Sequence, residues 1–365
     1  MERQSFLVRR FEKSDVNGII KLFENVFEGS FSMDWWKWKY ISNPAGFYGE
    51  EGDIWVAETS DGEIVGHWAV IPEKMKLYSR TVTVAQAVDA ATHPEYRGLG
   101  IFKSLVKSVC SDVKERYPFI FGFPNELYKG YEKLGWMSFR IVDFLNFLDY
   151  DIPLKSYFNN SVKYYLAKIL LKALKARNRF SFNVRYEKSK ANNIKIEEIT
   201  HFSSEINDFW NSLKTNYGII LERDASFLNW RFSKYLGNYR KFVAISSEND
   251  KITGYVAIKQ TSIRGIPGVL DIVDLQVSPY DEGTLFELIK FVINNAKIEA
   301  VTVIHCRVPT WHHYAKILRN LGFIPVGRLL DYAIYQPRLI IYPLAKNNHP
   351  NLNEWFLTLA DTDYA

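Results

Sequence analysis

The sequence predicts two consecutive α/β (α+β) domains built on one plan, each mixing extended strands with amphipathic helices. Three observations predict it. The chain has 365 residues, 47% of them hydrophobic and 24% charged, which is long for one core and comfortable for two. It also repeats itself: Val88-Asp89 and Pro94 recur as Val273-Asp274 and Pro279 at a single offset (274 − 89 = 185 and 279 − 94 = 185). Finally, each half alternates β-prone runs with helical periodicity.

The repeat extends further. Trp38-Lys39-Tyr40 resembles Trp230-Arg231-Phe232. Val56-Ala57-Glu58 followed by Ile64-Val65-Gly66-His67 parallels Val243-Ala244-Ile245 followed by Ile252-Thr253-Gly254-Tyr255, and Leu134-Gly135-Trp136 parallels Leu321-Gly322-Phe323. The implied divisions are a first domain over 1–150, a connecting segment over 151–194, a second copy over 195–345 and a tail over 346–365.

Within the first half, Ser14-Asp15 is placed to cap a helix whose apolar face carries Val16, Ile19, Ile20, Phe23 and Phe27. Residues 54–58 and 64–70 read as a hairpin around Asp61-Gly62, a strong turn dipeptide. Residues 81–91 are the long central strand. A helix with Ile101, Leu105, Val106 and Val109 on one face follows, then a short apolar strand over 118–123, then a helix carrying Tyr131. Between the copies, residues 161–177 form an amphipathic helix with an apolar stripe of Val162, Tyr165, Leu166, Ile169, Leu170 and Leu174, and a wet face of Lys168, Lys172 and Lys175. It is read either as a connecting helix packed on a domain or as peripheral membrane contact. Residues 178–194 read as a polar, basic linker.

Composition narrows the class. The two cysteines, Cys110 and Cys306, are too few for a disulfide framework or a zinc cluster; no metal is expected, and a reducing compartment is favoured. No apolar run reaches a membrane span, and Met1-Glu2-Arg3-Gln4-Ser5 has no signal-peptide core, so the expected location is cytoplasmic. Net charge is +5, but residues 151–190 hold ten Lys/Arg against two Asp/Glu, a local +8, leaving −3 for the rest. That distribution argues against a surface that coats nucleic acid.

The stretch with most chemical content is Asp89-Ala90-Ala91-Thr92-His93-Pro94, followed by Arg97-Gly98-Leu99-Gly100-Ile101. A strand that turns through glycines into a helix start presents outward N–H groups and the positive end of the helix dipole, and Arg97 adds a full charge. This arrangement suits a pyrophosphate. It is neither a Walker loop nor the three-glycine dinucleotide fingerprint.

His93-Pro94-Glu95-Tyr96-Arg97-Gly98-Leu99-Gly100-Ile101 resembles motif A of the GCN5-related N-acetyltransferases (GNAT superfamily), and Leu127-Tyr128-Lys129-Gly130-Tyr131-Glu132-Lys133-Leu134-Gly135-Trp136 is similar to that family's late helix and following strand. The resemblance implies two tandem GNAT-like domains, each with a mixed, twisted central sheet flanked by helices, and acetyl-CoA or another acyl-CoA as co-substrate. It places the phosphate loop at Arg97, Gly98, Leu99, Gly100, Ile101 and Phe102. The pantetheine arm falls along Ala90, Ala91 and Thr92, and the general acid falls at Tyr131 with Tyr128 as fallback. Phe102 departs from the family's usual Gly or Ala, so its side chain has to point away from the phosphates. Asn125 is either an N-cap or a coenzyme contact. Asp89 and His67 are the candidate bases, although Asp274 repeats Asp89 in the second copy and suggests a structural duty. Trp35 and Trp36 are candidates for an acceptor pocket, whereas Trp38, matched by Trp230, reads as core. Some tandem members bring a C-terminal carboxylate to the active site; here a fraying tail is the default.

The second copy is not equivalent. It has Glu282-Gly283-Thr284-Leu285 where the first has Arg97-Gly98-Leu99-Gly100, so a carboxylate replaces the cation. A single coenzyme site is therefore expected, in the first copy. The expected activity is acyl transfer to a primary amine of a small-molecule, sugar or peptide acceptor, with no nucleic-acid partner. The alternatives are a Fem-like aminoacyl transferase taking charged tRNA and a non-catalytic acyl-CoA-binding module.

Overall fold

The computed structural model describes residues 5–27, 29–46, 52–124, 127–151, 154–155, 161–186, 194–263, 266–299, 301–325, 337–344 and 350–362, except the side chains of 174–175, 177–186 and a few others. Asn125, the segment 187–193 and Asp363 lie outside the described residues, as do the side chains of Leu174 and Lys175. The chain forms two compact units: Met1–Phe139 with Arg338–Asn351, and Arg140–Pro337 with Leu352–Ala365.

The first unit begins with β1 (Phe6–Arg10), α1 (Val16–Val26) and α2 (Met33–Trp36). The chain then takes one wide turn over Lys37–Ile41, closed by Ser42 N–H on the Lys37 carbonyl at 2.9 Å. Strands β2 (Asp53–Thr59), β3 (Ile64–Leu77) and β4 (Arg80–Thr92) form an antiparallel meander. Then come α3 (Ile101–Asp112), β5 (Phe119–Gly122), α4 (Tyr128–Glu132) and β6 (Met137–Arg140).

These elements follow the pattern of the residues. Val16, Ile19 and Phe23 bury the inner face of α1. Asp15 precedes the helix but its side chain does not cap it. Its carboxylate instead accepts from Arg9 at 2.7 and 2.8 Å and from Glu12 N–H at 2.8 Å. Gly62, with φ +88°, makes the hairpin turn between β2 and β3. Ile101, Leu105, Val106 and Val109 bury α3 against the sheet. Gly66 is what lets α3 approach β3, since a Cβ there would lie 2.5 Å from the Ile101 side chain.

The second unit contains β7 (Asp143–Phe147), α5 (Ser161–Tyr186), β8 (Ile194–Ile199), α6 (Glu205–Leu213), β9 (Ile219–Leu221) and α7 (Ala225–Arg231). It continues with β10 (Tyr239–Ser246), β11 (Ile252–Ile263), β12 (Ile266–Val277), α8 (Glu282–Ile298), β13 (Val303–Arg307), α9 (His313–Asn320) and β14 (Ile324–Pro325). The last strand, β15 (Arg338–Pro343), returns to the first unit.

Both sheets are mixed. The first reads β1-β2-β3-β4-β5-β15-β6 and the second β14-β7-β13-β12-β11-β10-β8. Each contains a parallel pair: β4 with β5, and β12 with β13. The chain trades strands between its halves: β7 pairs antiparallel with β13, and β15 pairs antiparallel with β5.

Two further expectations are corrected. The helix that starts at Ser161 runs to Tyr186, so 178–186 continue the helix rather than form a linker. Its packed face carries Tyr164 and Leu171, 8% and 4% exposed, while Val162, Tyr165, Leu166, Ile169 and Leu170 of the stripe read from the sequence face solvent. The tail does not fray over its described residues. Trp355, Phe356, Leu359, Ala360 and Asp361 are all at most 3% exposed, and Trp355 bridges Ile219 in parallel.

Candidate active site

The site begins where β4 outruns its neighbour. The parallel ladder covers Ala85↔Ile120, Gln86↔Phe121 and Ala87↔Gly122. There β5 ends, while β4 continues to Thr92. The main chain of 88–92, including Ala90, Ala91 and Thr92, therefore extends past that ladder with N–H and C=O groups that want partners.

On its other side β4 still pairs with β3, but through a bulge. Ala69 faces Val88 and His67 faces Ala91, so Asp89 and Ala90 together oppose Trp68. Asp89 takes φ +50°, a left-handed conformation in which Asp is several-fold enriched.

Three side chains hold the bulge. His67 Nδ1 lies 2.8 Å from the Asp89 carbonyl oxygen, Lys39 Nζ lies 2.8 Å from Oδ1, and the Tyr40 hydroxyl donates to Oδ2. Lys39 and Tyr40 sit on the wide turn at 37–41, an irregularity common at functional sites. Burial pushes the His67 imidazole down to about 4, so the ring is neutral at pH 7. The 2.8 Å contact to a carbonyl assigns its proton to Nδ1. Nε2 is buried and finds no hydrogen-bond partner. Phe23 meets the ring edge-on at 4.8 Å, with Tyr40 at 6.1 Å and Trp36 at 6.2 Å. Trp35 and Trp36 are 8% and 3% exposed, and the Lys39 ammonium lies 5.3 Å from the centre of the Trp35 ring. The two tryptophans back the Asp89 side of the sheet from within the core.

At the end of β4 the chain turns into α3. Arg97 Nε approaches the Thr92 carbonyl at 3.4 Å, and Arg97, Gly98, Leu99 and Gly100 are all exposed. Gly98 and Gly100 take φ +85° and +89°, which L residues adopt only with strain. Gly100 is the N-cap and offers no side chain, so no side-chain cap covers the first-turn N–H groups of α3. Ile101, 1% exposed, anchors the helix start. Phe102 turns its ring onto Tyr131 edge-on at 5.0 Å. Tyr131 is 3% exposed, and its hydroxyl accepts the Trp68 indole N–H at 2.7 Å. In that bond the phenol keeps its own proton.

The second unit also has a bulge near the corresponding place, with a different conformation and a different chemistry. Ala257 faces Asp274 and Ile258 faces Ile272. Asp274 is fully buried and accepts from Arg223 Nε at 2.8 Å, Tyr255 at 2.7 Å and Thr358 at 2.9 Å. Arg223 also reaches Asp361 of the tail at 2.6 Å. The N-terminus of α8 is capped, because Asp281 accepts the Thr284 N–H at 2.9 Å and its hydroxyl at 2.6 Å. Val277 N–H, level with Thr92 in the repeat, donates to the Tyr314 hydroxyl at 2.9 Å. The helix start that has no side-chain cap in the first unit is capped here by Asp281.

Sequence reasoning missed Lys39 and Trp68 as partners of the site; it placed Tyr40 beside Trp35 and Trp36 as a candidate floor of the acceptor pocket, not as a partner of Asp89, and read only Trp38 of the Trp38-Lys39-Tyr40 repeat as packing.

Residues 7–139 match the family model described as an acetyltransferase (GNAT) domain. No curated protein sequence matches the chain. Among solved structures, a probable N-acyltransferase from Enterococcus faecalis V583 superposes with a TM-score of 0.61 at 14% identity, over 94% of this chain and 74% of that one. A GCN5-related N-acetyltransferase from Anabaena variabilis ATCC 29413 gives 0.61 at 13% identity, over 94% and 74%. One from Kribbella flavida gives 0.54 at 13%, over 93% and 71%. At these identities the likeness is one of fold, and it is residues 7–139 that match the acetyltransferase (GNAT) domain.

Proposed function

We propose that the protein is an acyl-CoA-dependent N-acyltransferase with one working donor site, in the first unit, and that acetyl is the group transferred. The observation that carries this reading is the contrast between the two helix starts. The start of α3 has two left-handed glycines and no cap, whereas the start of α8 is closed by Asp281. The first accepts an anion, and the second already holds one.

The donor supplies an activated thioester carbonyl. The main-chain amides at Gly98, Leu99, Gly100, Ile101 and Phe102, with the Arg97 guanidinium, hold its pyrophosphate. The overhanging edge of β4 at Ala90, Ala91 and Thr92 pairs with the amides of its pantetheine arm as an added strand would. Phe102, packed on Tyr131, keeps its ring off the phosphates. Tyr131 donates its phenolic proton to the departing sulfur, and Trp68, bound to the same oxygen, fixes the direction of that proton.

The acceptor is a primary amine of a small molecule, sugar or peptide, and it has to lose a proton before attack. Asp89, whose side chain is 13% exposed, takes that proton through water. His67 is enclosed and a weak base, so it is assigned to positioning through the Asp89 carbonyl. An aminoacyl transferase using charged tRNA would need no pyrophosphate cradle of this kind.

Incubating the protein with acetyl-CoA and an amine library, and measuring thiol release, tests the reading. Release that depends on a particular amine is expected. Tight acetyl-CoA binding with no turnover on any amine class would favour the binding-module alternative.

A further inference from the structure

Helix α5 has apolar side chains on two opposite faces. One is packed: Tyr164 and Leu171 cluster with Leu145, Phe147 and Ile324. The other is exposed: Val162, Tyr165, Leu166 and Ile169 are 62%, 61%, 63% and 65% exposed. At 3.6 residues per turn this exposed stripe lies roughly opposite Tyr164 and Leu171; Lys163 and Lys172, both exposed, fall on its two borders, with the Lys172 ammonium 5.7 Å from the centre of the Tyr150 ring. Four large apolar side chains in a row, each more than half exposed, mark an interaction surface.

We propose that this face of α5 lies flat on an anionic lipid surface. The four apolar side chains enter the boundary between headgroups and acyl chains, and the bordering lysines meet the lipid phosphates. Charge selects this occupant. The segment 151–190 carries ten Lys/Arg against two Asp/Glu, while the rest of the chain is net negative. A second copy would bring two basic borders together, which repel. No helix among the described residues is long and apolar enough to cross a membrane, so the contact is peripheral. This inference is independent of the acyl-transfer reading.

Flotation of the full-length protein with phosphatidylcholine vesicles, with or without phosphatidylglycerol at about a third of the lipid, tests it. Binding is expected on the anionic vesicles, about tenfold or more weaker on neutral ones, and reduced by high salt. Leu166→Glu with Ile169→Glu should abolish flotation. Lys163→Gln and Lys172→Gln should each weaken it about fivefold. All four positions are exposed, so the melting temperature and acetyl-CoA binding should stay at wild-type values. Failure to float on anionic vesicles overturns the proposal, as does flotation that the paired Glu substitutions leave unchanged. A homodimer that those substitutions dissociate, without vesicle binding, assigns the face to a second copy instead.

Discussion

The Lys39 ammonium lies 2.8 Å from the Asp89 carboxylate at the bulge of β4, and the two side chains are 4% and 13% exposed. Arg223 holds Asp274 at the matching bulge of the second unit, also at 2.8 Å. In both units a cation and a tyrosine hydroxyl fix an acidic residue where the central strand outruns its neighbour. Only in the first is that residue partly open to solvent. Removing one partner of such a pair leaves a buried charge without its counterion. Lys39→Met is therefore expected to cost about 3 kcal/mol in urea unfolding. Asp89→Asn should lower kcat more than it weakens acetyl-CoA binding. Equal losses in kcat and affinity would remove Asp89 from the proton path.

Tyr131→Phe removes both the proposed acid and the acceptor of the Trp68 indole N–H. A stability loss of roughly 1–3 kcal/mol is expected from the orphaned indole. Turnover should fall by about 10² or more while donor affinity holds. Unchanged turnover at saturating donor would show that another group protonates the sulfur.

His305 gives the second unit a pH dependence. Its ring sits between Asp271 at 2.8 Å and Asp143 at 3.1 Å. Burial alone would lower its affinity for the proton, but the two carboxylates outweigh burial and raise the pKa to about 9 from an ordinary 6.5. A folded-state value above the unfolded one means stability that is full below about pH 6.5 and lost as pH rises through about 9, roughly 3 kcal/mol in all. Melting curves from pH 6 to pH 10 should show that decline, and His305→Gln should flatten it.

Asp361 ties the tail to the second unit through Arg223, and both side chains are fully buried. Asp361→Ala leaves Arg223 with Asp274 as its remaining carboxylate, and a loss of about 3 kcal/mol is expected. Acetyl-CoA affinity should be unaffected, because the donor site is assigned to the other unit. A parallel loss of affinity would tie donor binding to the second unit.

The sequence showed some of these features and hid others for physical reasons. The hairpin at Asp61-Gly62 and the glycine turn before α3 depend on local backbone conformation, so local residues announce them. The exchange of β7 and β15 depends on which sheet edge a short strand meets, and neither Asp143–Phe147 nor Arg338–Pro343 carries that information in its own pattern. Helix α5 has two apolar faces, so periodicity alone could not say which one packs. The tail is buried because Arg223 needs Asp361, a pairing 138 residues apart. Asp89 was legible as an acidic residue near the end of the central strand, but its pairing with Lys39 and Tyr40 was not, because their wide turn breaks helical spacing.

Calorimetric titration of acetyl-CoA into the wild-type chain and into Arg97→Glu tests the central claim most directly, since that substitution gives the first loop the charge of the second. One donor per wild-type chain is expected, with binding lost in the variant. Undiminished binding in Arg97→Glu, or two donors per wild-type chain, would contradict a single site at the start of α3.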